Sequence, residues 1–214
     1  MLRKVGALMF IGAFMSVGAN AASITFDTWQ HNEGVGPDYE VTISDGMDNG
    51  NATFDVTFKV ASGQADILGI YFNFSSIFGP ANPYGANPLV DDGGVVTQVC
   101  LEAVSCGGGN NMNGININGV QNPTWDLAFQ IDEQGQGGGA ITEGSFSFLA
   151  GGLTLDDFYA AGVRAQSTSP GPGSDKAWSL EPNPGTEVPE PATLALLGLG
   201  LAGLVAARRR PEAA

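Results

Sequence analysis

One histidine, two cysteines and eight basic residues are all that this 214-residue chain holds. His31 with Cys100 and Cys106 falls short of the four ligands of an ordinary structural zinc site. His31 is also the only imidazole base, and no Gly-x-Ser-x-Gly elbow occurs. A serine–histidine–aspartate hydrolase therefore has little to be built from, and His31 is expected at the surface. Long helical periodicity is missing too, which argues against a helical bundle.

The basic residues are placed as unevenly as they are scarce. Arg3 and Lys4 open the chain, Arg208, Arg209 and Arg210 close it, and only Lys59, Arg164 and Lys176 lie between. Residues 22–187 hold 20 acidic residues against those three, a formal charge of −17. Such a surface repels nucleic acid and anionic lipid, so neither is an expected partner. Its plainest consequence is solubility, with cation binding as the alternative.

What is present begins with "MLRKVGALMFIGAFMSVGANAAS". A positive start, an apolar stretch from Val5 to Val17 and the small residues Ala19-Asn20-Ala21 make a secretory signal peptide over 1–21, cut after Ala21. Export implies an oxidising compartment, so Cys100 and Cys106 in "CLEAVSC" are expected to form one disulfide.

The mature part alternates short β-type runs with turns rich in its 32 glycines and 12 prolines. In "ATFDVTFKV" (52–60), Phe54, Val56 and Phe58 alternate with Asp55, Thr57 and Lys59, the period of a strand with one buried face. Asn49-Gly50 before it is a hairpin turn, since both residues accept positive φ. "ADILGIYFNF" (65–74) is continuously apolar, as in a central strand. "GGGNNMNGININGVQN" (107–122) reads as a mobile loop, with an extended piece at Ile115 and Ile117. In "LTLDDFYAAGVRAQS", Thr154 and Asp157 resemble a helix-start capping pair. A short helix ending at Gly162 and a last strand, "GVRAQS", are expected there. Seven to nine strands over residues 22–180 make an all-β, single β-sandwich, and 181–187 reads as a Pro-rich spacer.

Candidate chemistry in this region is thin. The doublets Asp91-Asp92, Asp132-Glu133 and Asp156-Asp157 supply carboxylates, but adjacent residues on a strand face opposite ways, so a glycoside hydrolase is a remote alternative. "DGMDNGNATFD" (45–55) fails as an EF-hand, with Met47 at its third position and Val56 at its twelfth. Asp45, Asp48 and Asn49 remain as weak Ca2+ candidates. No other cofactor is expected, and no catalytic residue is assigned. Asn51 and Asn73 sit in Asn-x-Ser/Thr sequons, a pattern too common to carry weight.

The tail, "VPEPATLALLGLGLAGLVAARRR" (188–210), carries the most information. Its apolar run, Ala192 to Ala207, reaches about 24 Å as a helix, short of the ~30 Å hydrocarbon core. It can span by thinning the bilayer, over about 191–207, with the arginines on the cytoplasmic side. Val188-Pro189-Glu190-Pro191, the apolar segment and Arg208, Arg209 and Arg210 resemble the PEP-CTERM sorting signal of Gram-negative bacteria, whose tail is also labelled "ice-binding protein C-terminal domain". That label describes the tail and not an activity; regular Thr-x-Thr rows are absent here. The resemblance implies an exosortase substrate, cut near Pro189-Glu190-Pro191. It also implies a protein anchored in the inner membrane before processing and at the cell surface or outside after it. Such proteins accompany exopolysaccharide, biofilm or floc formation. "ADILGIYFNF", "NNMNG" and "LTLDDF…GVRAQS" in turn resemble the cohesin-like (Ig-like) sandwiches of that family. A carbohydrate- or Ca2+-binding module is the alternative function.

Overall fold

The protein is described here by a computed structural model covering residues 21–75, 88–107, 110–118, 120–132, 139–180 and 182–184. The expected signal peptide up to Asn20 (Ala19 included) and the tail with Val188–Pro191 and Arg208–Arg210 lie outside the described residues. Among those described, no helix is long and apolar enough to cross a membrane.

The chain is all-β. In order, the strands are β1 (Ser23–Phe26), β2 (Gln30–His31), β3 (Asp38–Asp48), β4 (Asn51–Ser62), β5 (Gln64–Phe74), β6 (Leu89–Asp91) and β7 (Gln98–Ala103). There follow β8 (Asn116–Ile117), β9 (Val120–Gln121), β10 (Trp125–Gln130), β11 (Glu143–Leu149), β12 (Phe158–Ser169), β13 (Ser174–Ser179) and β14 (Asn183–Pro184). They form two open, antiparallel sheets. The front sheet has the order β14-β1-β3-β4-β11-β6 and the back sheet β2-β13-β12-β5-β10-β7, with β8-β9 as a separate small hairpin.

The two sheets meet face to face through aromatic side chains. Phe54 of the front meets Phe158 of the back edge to face, with centroids 4.9 Å apart, and Phe146 meets Phe129 at 4.4 Å. Ile43, Val56, Ile70, Leu127 and Val163 fill the layer between and are fully buried. Rings in such offset and T-shaped contact add to the burial term itself.

Local sequence explains the front sheet. Phe54, Val56 and Phe58 point inward, while Asp55, Thr57 and Lys59 point to solvent, as the alternation requires. Asn49 and Gly50 hold φ of 48° and 83°, so a two-residue turn of the I′ kind joins β3 to β4, with Asp48 opposite Asn51.

Three expectations fail. The helix expected before Gly162 is only a single 3₁₀ turn, Leu155–Asp157. The Thr154–Asp157 capping pair exists: Thr154 donates to Asp157 Oδ2 from its amide (2.8 Å) and its hydroxyl (2.9 Å). But from Phe158 the chain runs extended between β5 and β13, and ladders on both sides outweigh local helix preference. "GVRAQS" is accordingly not the last strand, since Ser174–Ser179 follows as β13. Nor are residues 181–187 all spacer, because Asn183 and Pro184 pair with Thr25 and Ile24.

Candidate functional site

The sorting residues are beyond the described part, so geometry is available for the two outer faces and for a buried polar cluster. The outer face of the front sheet is a grid of small polar groups. Register places Thr25, Thr42, Thr57 and Ser145 in one row across four strands. Thr25 and Thr42 share a hydrogen bond between their hydroxyls at 2.9 Å. Glu40, Lys59 and Glu143 form the next row, and Lys59 reaches Glu40 at 2.8 Å. Ser145 and Glu143, with Glu40, Thr57 and Lys59, line a groove of about 470 Å3. The hydroxyls do not repeat along one strand, as in a Thr-x-Thr motif, but form a row that runs across strands. The signal was there in the polar phase of three segments: Glu40-Thr42-Ser44, Asp55-Thr57-Lys59 and Glu143-Ser145-Ser147.

The outer face of the back sheet is covered instead. Cys106, Met112, Ile115 and Ile117 from the segment after β7 fold back onto Tyr71, Trp125, Ala128, Ala160 and Trp178, making a second small core. Gly69 and Gly162 form its floor. A Cβ on Gly69 would stand 2.1 Å from Asn110 Nδ2, and one on Gly162 would stand 2.8 Å from the Trp125 ring. Asn110 is fully buried and accepts from the Tyr71 hydroxyl at 2.7 Å, while Lys176 Nζ donates to the Asn113 carbonyl. The Cys100 and Cys106 sulfurs lie 2.09 Å apart, at disulfide distance, where this covering segment leaves β7. Part of the stretch expected as a mobile loop is thus packed.

His31 is not the surface residue expected. Its side chain is 11% exposed, and Nδ1 lies 2.8 Å from Asp175 Oδ2, which also accepts from the Tyr39 hydroxyl at 3.0 Å. Arg164 Nη1 donates to the Asp175 carbonyl at 3.1 Å. Burial first, and then the Asp175 charge, push the Tyr39 phenol far above its ordinary range, while burial pulls the Arg164 guanidinium down. A histidine–aspartate pair is two-thirds of a triad, and a nucleophile would complete it. Thr168 and Ser179, the buried hydroxyls without a hydrogen-bond partner among the described residues, are not joined to His31. The cluster pins β2 to β13 and β3.

The remaining candidates are held locally. Asn49 Nδ2 donates to both Asp48 carboxylate oxygens, at 3.1 and 3.0 Å. Asp45 and Asp48, three apart on β3, emerge on opposite faces, so Asp45, Asp48 and Asn49 do not converge. No group of three or more His, Cys, Asp or Glu side chains able to hold a metal occurs among the described residues. Asp91 and Asp92 each accept from the amide two residues on, Gly93 and Gly94. Asn73 is buried, with Oδ1 accepting from the Asp126 amide, so its sequon is covered. The Asp126 carboxyl is raised, by burial first and then by Glu102, against the lowering effect of a hydrogen bond from the Phe74 amide.

Comparison with known proteins adds one match. Residues 187–210 match the PEP-CTERM protein-sorting motif. No curated protein and no solved structure matches the chain. The molecule is therefore of the class of exported proteins that carry a C-terminal sorting signal. More particularly, that signal is the PEP-CTERM protein-sorting motif, which implies sorting by exosortase.

Proposed function

We propose that this is a non-enzymatic protein of the cell surface or extracellular matrix, released by exosortase and working with exopolysaccharide in biofilm or floc formation. The sorting motif at 187–210 carries this reading, set as it is behind an acidic all-β domain. In this reading the domain is a cohesin-like sandwich. The 191–207 helix holds it in the inner membrane until the cut near Pro189-Glu190-Pro191, and the Cys100–Cys106 disulfide forms on export. Intact mass of the protein from producing cells tests the sorting half: both ends should be lost, and the C-terminus should be retained when exosortase is deleted. Co-sedimentation with polysaccharide from the same cells tests the matrix half. Absence of co-sedimentation, together with unchanged floc mass in a deletion strain, overturns that half.

The hydroxyl rows of the front sheet favour a second reading, a carbohydrate-binding module. Neutral sugars match a face of hydroxyls, with Glu40, Lys59 and Glu143 as orienting groups. A glycan array probed with residues 22–187 should then show retention that Thr57→Arg abolishes. Calcium titration calorimetry of the same segment without heat rejects the Asp45, Asp48 and Asn49 candidate.

A further inference from the structure

Rows of hydroxyls suit any sugar, and the charges set among them decide which. Three rows run across the outer face of the front sheet. Ser44, Asp55, Ser147 and Asp91 stand in the first. Thr42, Thr57 and Ser145 make the second, and Glu40, Lys59 and Glu143 the third. Along a strand the first and third rows lie four residues apart, about 13 Å. A band of hydroxyls thus runs between two acidic borders. The borders hold four carboxylates, Glu40, Asp55, Asp91 and Glu143, against one cation, Lys59. That lysine is already taken by Glu40, at 2.8 Å. Asp55 and Glu143 are exposed and make no ion pair among the described residues. A uronic or sulfated polysaccharide is repelled by such a face, and a neutral one draws no charge attraction from its borders. A chain that carries both hydroxyls and ammonium groups matches the band and the borders together.

We propose that the outer face of the front sheet docks a cationic polysaccharide, a polymer of amino sugars with unacetylated amines. Its hydroxyls lie on the Thr42-Thr57-Ser145 row and its ammonium groups against Glu143 and Asp55. This rests on the carbohydrate-binding reading of that face. The wider field acts in the same direction: with 20 acidic residues against three basic ones over residues 22–187, a polycation is drawn to the domain from any side. The rows then select among polycations. A basic peptide satisfies the carboxylates but leaves the band of hydroxyls unmatched. Each exposed carboxylate contributes little alone, so the preference for amines is a matter of two or three contacts and is sensitive to salt.

The test is calorimetry of the full chain in non-ionic detergent, at low salt and in mildly acidic buffer. Three probes of equal length are compared: an oligomer of glucosamine, its N-acetylated form, and oligolysine. The glucosamine oligomer should bind about tenfold more tightly than either of the others. D55N/E143Q should remove that preference. Lys59→Gln, which leaves Glu40 unpaired, should enlarge it. Equal affinity for the two sugars, with both lost in Thr57→Arg, overturns the amine preference and leaves the carbohydrate reading standing. A preference unchanged by D55N/E143Q, or oligolysine bound as tightly as glucosamine, overturns the docking as proposed. Binding of neither sugar overturns the carbohydrate reading itself.

Discussion

The front and back sheets have equal strand numbers and share one core, yet they treat their second faces in opposite ways. On the front, β4 alternates buried and exposed residues, and its outer side is hydroxyls and charges. On the back, every residue of β5 after Gln64 is buried, because the segment behind β7 covers its outer side. A face left to water needs only polar side chains. A face covered a second time needs glycine at Gly69 and Gly162, an amide at Asn110 and aromatic filling at Trp125, all mutually fitted. Tolerance to substitution should therefore be high on the front and low on the back.

Trp125→Ala should cost about 4 kcal/mol, while Thr57→Ala on the open face should stay within about 0.5 kcal/mol. Urea unfolding of the two variants compares them directly. Similar midpoints would break the contrast and make the covering segment a loose flap. Next, Asp175→Ala leaves His31 and Tyr39 without their shared carboxylate, and a loss of about 3 kcal/mol in calorimetric stability is expected. Replacing Cys100 and Cys106 together by serine should cost about 2 kcal/mol, with faster amide exchange at residues 110–118 and unchanged exchange in β3 and β4. An equal increase in both regions would tie the cysteines to global folding and not to the cover. The smallest effect is Asp126→Asn. The Asp126 carboxyl is raised in the folded state, so folding favours its protonated form; that stability is complete below the unfolded carboxylate range and is lost as pH rises through the folded value. The amide should therefore gain about 0.5 kcal/mol at pH 7, a gain that vanishes in acid, as thermal melts across pH would show.

These contrasts also mark what could be read in the sequence. Phe54, Val56 and Phe58 announced β4 because one face meets water, and Asn49-Gly50 announced its turn through backbone freedom. "FYAAGVRAQS" gave no such alternation, since both faces of β12 are covered and the polar phase that marks a strand is missing; a capping pair then suggested a helix. His31 looked superficial because its partner, Asp175, stands 144 positions away, and only the sheet order brings them together. The hydroxyl row escaped for a similar reason, being assembled by register across β1, β3, β4 and β11. The sorting motif was legible because it is contiguous, with its proline pair, apolar segment and arginines read in order.

The sheet margins matter for a protein sent out to a crowded surface. Among the described residues, three of the four outermost strands, β14, β6 and β2, have only two or three residues. They offer a neighbouring molecule almost no backbone to extend. The fourth, β7, has six, but Glu102 at φ 50° interrupts its extended course, and its carboxylate stands on that margin. Edge-to-edge pairing into fibres is correspondingly disfavoured.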